Sequence, residues 1–156
     1  QRHLTIPCEM CIRDRSWWPP YLGAGVSIRA PDDHTIDVRM PLRWYNRNIV
    51  GTHFGGSLYA MCDPFFMLIL MRHLGRDYVV WDKAATVRFR RPGRGLVRAC
   101  FHVPPETVAE IRARADAEPK VEPQFTVQVL AEDGTVVAEV EKLLYVRRRG
   151  PAQAAA

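Results

Sequence analysis

Residues 58–71 place the tightest restriction on the fold. Leu58, Met61, Cys62, Phe65, Phe66, Leu68, Ile69 and their neighbours leave a helix no polar face, and Asp63 is the only charge before Arg72. A helix that is apolar all round has to be buried. At 14 residues and interrupted by Asp63, the run is too short to span a bilayer. Protein must therefore cover it, and most of the remaining chain reads as strand. Val26, Ile28 and Ala30 alternate with polar residues, and so do Ile36, Val38, Met40 and Leu42, with Pro31, Asp32 and Asp33 as the turn between them. Four longer strands are expected at 78–90, 95–103, 122–131 and 135–147. Pro92-Gly93 and Asp133-Gly134 turn two of the hairpins. The fold class that satisfies both patterns is α+β: a curved antiparallel six-stranded β-sheet wrapped around a long central α-helix.

The helix is expected over 58–74, with Ser57 as its cap and Gly75 as its stop. Pro64 removes one backbone donor inside it and leaves the Ala60 carbonyl without its usual partner. A shorter helix is expected over 105–117, where proline at the start is permitted. Trp17, Trp18, Pro19, Pro20 and Tyr21 read as a stiff non-helical segment lying over the domain. The expected organisation is an N-terminal arm (1–20), one domain (21–148) and a frayed tail (149–156).

Asp63 is the leading candidate for chemistry. A carboxylate in an apolar helix must be paired, hydrogen-bonded or neutral. It suits a base toward water or a nucleophile, and equally a buried ion pair or a subunit contact. Ahead of the helix, Gly55 and Gly56 leave backbone donors that a ligand can approach closely. Such donors suit a developing oxyanion, although a tight turn also needs glycine. Asn46, Asn48 and His53 add polar groups to the same loop. Lys83 falls in phase with Trp81, Ala85 and Val87, so it is expected on a dry face, with Asp63, Asp82 or Glu141 as partner. Lys142 is the same kind of exception between Val140 and Leu144. Arg88, Arg90, Arg91 and Arg94 crowd one hairpin and suit phosphates, or simply a solvated face.

The 22 basic and 17 acidic residues give a formal +5, carried by arginine, since only Lys83, Lys120 and Lys142 are lysines. That balance admits an anionic ligand. No nucleic-acid motif accompanies it, so no nucleic-acid partner is expected. Cys8 and Cys11 form a C-x-x-C without a second pair, and no metal or cofactor is expected; Cys62 reads as packing. No signal-peptide pattern or membrane insertion is expected, the cysteine usage suggests a reducing compartment, and the chain begins at Gln1 rather than Met.

The segment HFGGSLYAMCDPFFMLIL (53–70) resembles the central helix of hotdog-fold proteins. With PPYLGAG (19–25), RWYNRNIVGTHFGG (43–56), DYVVWDKAA (77–85) and VEKLLYVRR (140–148), the chain resembles the DUF4442 family of the thioesterase-like hotdog superfamily, over 18–148. The resemblance implies an antiparallel sheet around a long helix. It also implies a homodimer or dimer of dimers, joined sheet edge to sheet edge, with sites between one subunit's helix and the other's strands. In the phenylacetic-acid-type branch the helix opens with H-G-G, and a catalytic Asp follows seven residues after the second Gly. Asp63 holds that spacing from Gly56. The implied roles are base or nucleophile for Asp63 and oxyanion donor for the Gly56 amide, with His53 beside them. Gly55, Ser57, Asn46, Asn48, Trp81, Lys83, Arg88, Arg90 and Arg91 are the expected substrate contacts. This sequence departs from the pattern where Phe54 separates His53 from Gly55 and where Pro64 follows the acid. The implied activity is hydrolysis of an acyl-CoA or related thioester by a cytoplasmic enzyme, with Trp44, Trp81, Phe65 and Phe66 lining an acyl groove. The alternative on the same fold is non-catalytic binding of acyl-CoA or an acyl carrier.

Overall fold

A computed structural model describes residues 18–150. The Cys8–Cys11 motif, most of the expected arm and the last six residues of the tail lie outside the described residues. The chain runs through α1 (Pro19–Ala24), β1 (Ser27–Arg29), β2 (Thr35–Pro41), α2 (Gly55–Ala60), α3 (Phe65–Leu74), β3 (Tyr78–Phe89), β4 (Leu96–His102), α4 (Pro105–Ala117), β5 (Gln124–Ala131) and β6 (Val136–Arg148).

All six strands join one antiparallel sheet in the order β1-β2-β4-β5-β6-β3. The inward residues of β2, β4, β5 and β6 are the alternating apolar positions, among them Val38, Met40, Val97, Phe101, Val129, Val140 and Leu144. They meet Phe65, Phe66, Ile69 and Leu70 of α3, with the Phe66 ring 5.1 Å from Phe101 and 4.8 Å from Phe125. This is the expected sheet wrapped around a helix: an all-apolar helix has no other way to leave water.

Three local expectations are corrected. First, the helix expected over 58–74 is two helices that meet at 61–64. Pro64 has no N–H to continue the ladder. The turn closes instead by short-range bonds, from Cys62 N to Tyr59 O (2.8 Å) and Asp63 N to Ala60 O (3.2 Å). α3 restarts with Leu68 N to Pro64 O (3.1 Å). α2 begins at Gly55 with Phe54 in the capping position, so Ser57 lies inside the helix and does not cap it. Second, Pro19 and Pro20 occupy the first turn of a helix, α1. Their missing N–H groups would have had no partner there. α1 does lie over the domain: Tyr21 is buried, and its hydroxyl donates to the carbonyl of Asp63.

Third, β3 changes face midway. Its register against β6 passes from Asp82↔Leu144 to Ala84↔Leu143, which leaves Lys83 as an extra residue. A one-residue bulge exchanges inward and outward positions beyond it. Tyr78, Val80 and Asp82 therefore face the helices, and Trp81 lies outside, stacked at 4.6 Å on Tyr145. Lys83 is not on the dry face either: it is exposed and pairs with Glu122 at 2.8 Å.

Candidate functional site

The irregularities bring four side chains together. Lys142 points into the core from β6 and is 1% exposed. Its ammonium donates to Asp63 Oδ1 at 2.5 Å, lies 3.1 Å from Asp82 Oδ2, and donates to the Tyr59 hydroxyl at 3.2 Å. Asp63 sits at the break between α2 and α3, Asp82 is delivered by the β3 bulge, and Tyr59 comes from the last turn of α2. An ammonium has three donors, and here all three have acceptors. Burial works against the charge of Lys142, but the hydrogen bond and attraction of Asp63, reinforced by Asp82 and Tyr59, hold its pKa above the ordinary value. Burial raises the Asp82 carboxyl against the pull of Lys142, and the neighbouring Asp63 raises it further. Cys62, beside the break, is pushed up to about 12 by burial, so it is a neutral packing thiol. The Asp63 carboxylate is 41% exposed and is the open end of the cluster.

The loop before α2 is built from the predicted polar residues, which it uses for itself. Asn46 is buried; its Nδ2 donates to Ala24 O (2.7 Å) and Pro41 O (2.9 Å), and its Oδ1 accepts from Arg43 N (2.7 Å). Asn48 accepts from Val50 N and Thr52 N and donates to Thr52 Oγ1. His53 Nε2 lies 2.9 Å from the Gly95 carbonyl, so that nitrogen carries the proton and donates. Its Nδ1 is buried without a hydrogen-bond partner among the described residues, and burial lowers the ring's pKa. The two glycines have ordinary negative φ, so no left-handed turn requires them. Exposed aromatic rings close over both instead. A Cβ on Gly56 would come within 2.5 Å of the Phe54 ring, and one on Gly55 within 3.0 Å of the Phe89 ring.

A cleft of about 550 Å³ lies beside this loop. Asn48, His53, Gly55, Leu58 and Phe89 line it, with Arg90, Arg91 and Arg94 at the hairpin. Arg90 pairs with Glu139 at 3.1 Å, and Arg88, outside the cleft, pairs with Glu141 and Glu139. Arg91 and Arg94 have no ion-pair partner among the described residues.

The predicted site residues thus fall in four places. Asn48, His53, Gly55, Arg90 and Arg91 meet at the cleft. Asp63 belongs to the lysine cluster, Gly56 and Ser57 stay on α2, and Asn46, Trp81, Lys83 and Arg88 stand apart from both the cleft and the cluster. Lys142, Asp82 and Tyr59 were not among the predicted site residues. Lys142 was visible as the break in the β6 alternation, whereas the bulge concealed the facing of Asp82. Among the described residues no group of three His, Cys, Asp or Glu side chains is placed to hold a metal ion, and no helix is long and apolar enough to cross a membrane.

A six-stranded antiparallel sheet wrapped around a central helical segment is the hotdog fold. The chain belongs to the DUF4442 family, a domain of unknown function, which matches residues 14–146. It is similar to a Pseudomonas aeruginosa protein of unknown function described as a probable thioesterase, with 23% identity, a TM-score of 0.82, and coverage of 95% of this chain and 100% of that one. A Haemophilus influenzae thioesterase aligns at 15% identity and a TM-score of 0.64, covering 92% of each chain. The Escherichia coli PaaI protein of the phenylacetic acid degradation operon aligns at 19% identity and a TM-score of 0.56, covering 81% of each. No curated protein matches the chain.

Proposed function

We propose that the protein is a thioester hydrolase acting on an acyl-CoA or a related acyl thioester. The observation that carries this reading is the half-exposed Asp63 carboxylate, held at the helix break at the position where the resemblance expects the acid. In the reaction, water adds to the thioester carbonyl while Asp63 accepts the proton it releases. The tetrahedral intermediate then expels the thiol sulfur, which takes up a proton, and leaves the carboxylic acid. The Gly56 amide, in the first turn of α2, has no partner along its helix and suits the oxyanion. The Phe54 ring packs against Gly56, so it has to turn aside for a carbonyl to approach.

Gly56 and Asp63 are seven residues apart. Gly56 opens α2 and Asp63 lies beyond the end of that helix, in the break before α3. A pair of chains would bring the Gly56 of one to the Asp63 of the other. The outer edge of β3 suits that pairing: its twelve residues end the sheet, with no strand beyond it among the described residues. The cleft with Arg91 and Arg94 suits the phosphates of a coenzyme A thioester.

One observation favours a second reading. Asp63 is bonded to a buried cation rather than free, which suits a domain that binds an acyl thioester without turning it over. The deciding experiment is thiol release from short, medium, long and aromatic acyl-CoA substrates by the parent and by Asp63→Asn, both checked for folding. Turnover that collapses in the variant supports hydrolysis with Asp63 as the acid. Turnover equal in both removes Asp63 from the reaction, and none in either, with acyl-CoA still captured, supports the binding reading.

A further inference from the structure

Three departures from regular structure converge on one ammonium. The central helix is interrupted beside Asp63, β3 gains an extra residue that turns Asp82 inward, and β6 places Lys142 between the fully buried Val140 and Leu144. Each departure is unfavourable by itself. The first forgoes helix hydrogen bonds, the second breaks a ladder, and the third takes a charge out of water. Together they supply the ammonium with Asp63, Asp82 and Tyr59.

One carboxylate would have been enough to neutralise one lysine. A lone Asp63–Lys142 pair would be closed, with no net charge to offer a ligand. The second carboxylate leaves the cluster with one negative charge in excess. Exposure is graded through it, from 1% at Lys142 to 19% at Asp82 and 41% at Asp63, so the excess charge meets solvent at Asp63. The other titratable groups facing the cluster are Tyr59 on α2, Cys62 at the break and Tyr21 on α1. The first accepts from Lys142, the second is buried, and the third donates to the Asp63 carbonyl.

We propose that Lys142 and Asp82 are positioning residues for Asp63: Lys142 pins one carboxylate oxygen from the buried side, and Asp82 takes up the lysine charge, so that Asp63 meets a bound molecule with its own charge uncompensated. This rests on the reading of Asp63 as the group that takes the proton from water, and it deepens that reading.

The test compares the parent with Asp82→Asn, which keeps the shape and removes the charge, and with Asp63→Asn. Folding and oligomeric state are checked for each. In Asp82→Asn we expect KM within about twofold of the parent and kcat about tenfold lower, because the lysine charge then falls on Asp63 alone. An unchanged kcat would overturn the proposal. Carboxyl-carbon NMR gives a readout independent of turnover: in Asp63→Asn the Asp82 signal should titrate at lower pH than in the parent. An Asp82 signal that does not move also overturns it. If the parent releases no thiol from any thioester, the hydrolase reading fails by itself, and the Asp82 signal still decides whether the two carboxylates act as one cluster. Lys142→Met combined with Asp82→Leu leaves Asp63 without either support in an apolar setting that can fold. It should lose at least about tenfold in kcat at similar KM, and full kcat there would remove Lys142 from the proposal.

Discussion

Lys142 illustrates how one residue's environment sets its cost. An ammonium at 1% exposure is tolerated because three acceptors surround it. Lys142→Met should lower stability by about 3 kcal/mol, since it leaves two carboxylates facing each other at the edge of the core. Adding Asp82→Leu should recover part of that loss, and urea unfolding of the single and double variants checks both. The two glycines act through neighbouring rings rather than through φ. Gly55→Ala should cost about 1 kcal/mol, and most of it should disappear in a Phe89→Ala background, because the clash is with that ring. A double-mutant cycle measures the coupling.

At the scale of elements, the loop between β2 and α2 is held by buried polar groups. Asn46→Ala would leave the Ala24 and Pro41 carbonyls and the Arg43 amide without their partner, a loss of about 2 kcal/mol readable in thermal unfolding. His53 adds a pH dependence. Its folded pKa lies below the ordinary 6.5 because the ring is buried. The unfolded chain therefore binds the proton more readily, and the stability contributed by neutral His53 is present above about 6.5 and lost as pH falls toward the folded value. Hydrogen exchange in the loop should accelerate on acidification below that point, and His53→Gln should flatten the response. The same scale holds the corrections to the sequence reading. The alternation in β3 is real on either side of Lys83, but a single inserted residue reverses it, and no local pattern announces which residue the partner strand will skip. Pro64 marked the helix as irregular, yet whether the chain bends through the proline or starts a second helix depends on what packs around the break, here Tyr21 of α1 and the sheet beneath.

At the level of the whole molecule, assembly turns on β3, a terminal strand of the sheet. If a second copy pairs there, the protein sediments as a dimer or a dimer of dimers. Placing lysines at Ala84 and Thr86 should then shift it toward monomer and lower any turnover in parallel. Analytical ultracentrifugation beside the activity assay tests this, and a parent that sediments as a monomer with full activity would contradict the two-chain site.

The order of residues is enough to place the strands and the buried helical segment, and with them the wrapped-sheet architecture. Burial of apolar surface has a period, and the period is written in the order of residues. It also singled out Asp63 and Lys142 as charges out of place. That those two meet, with Asp82 and Tyr59, while Lys83 turns outward to Glu122, comes from packing in three dimensions. Pairing of charges is a matter of distance in space, and a break in a helix and a bulge in a strand set those distances through packing that residue spacing does not encode.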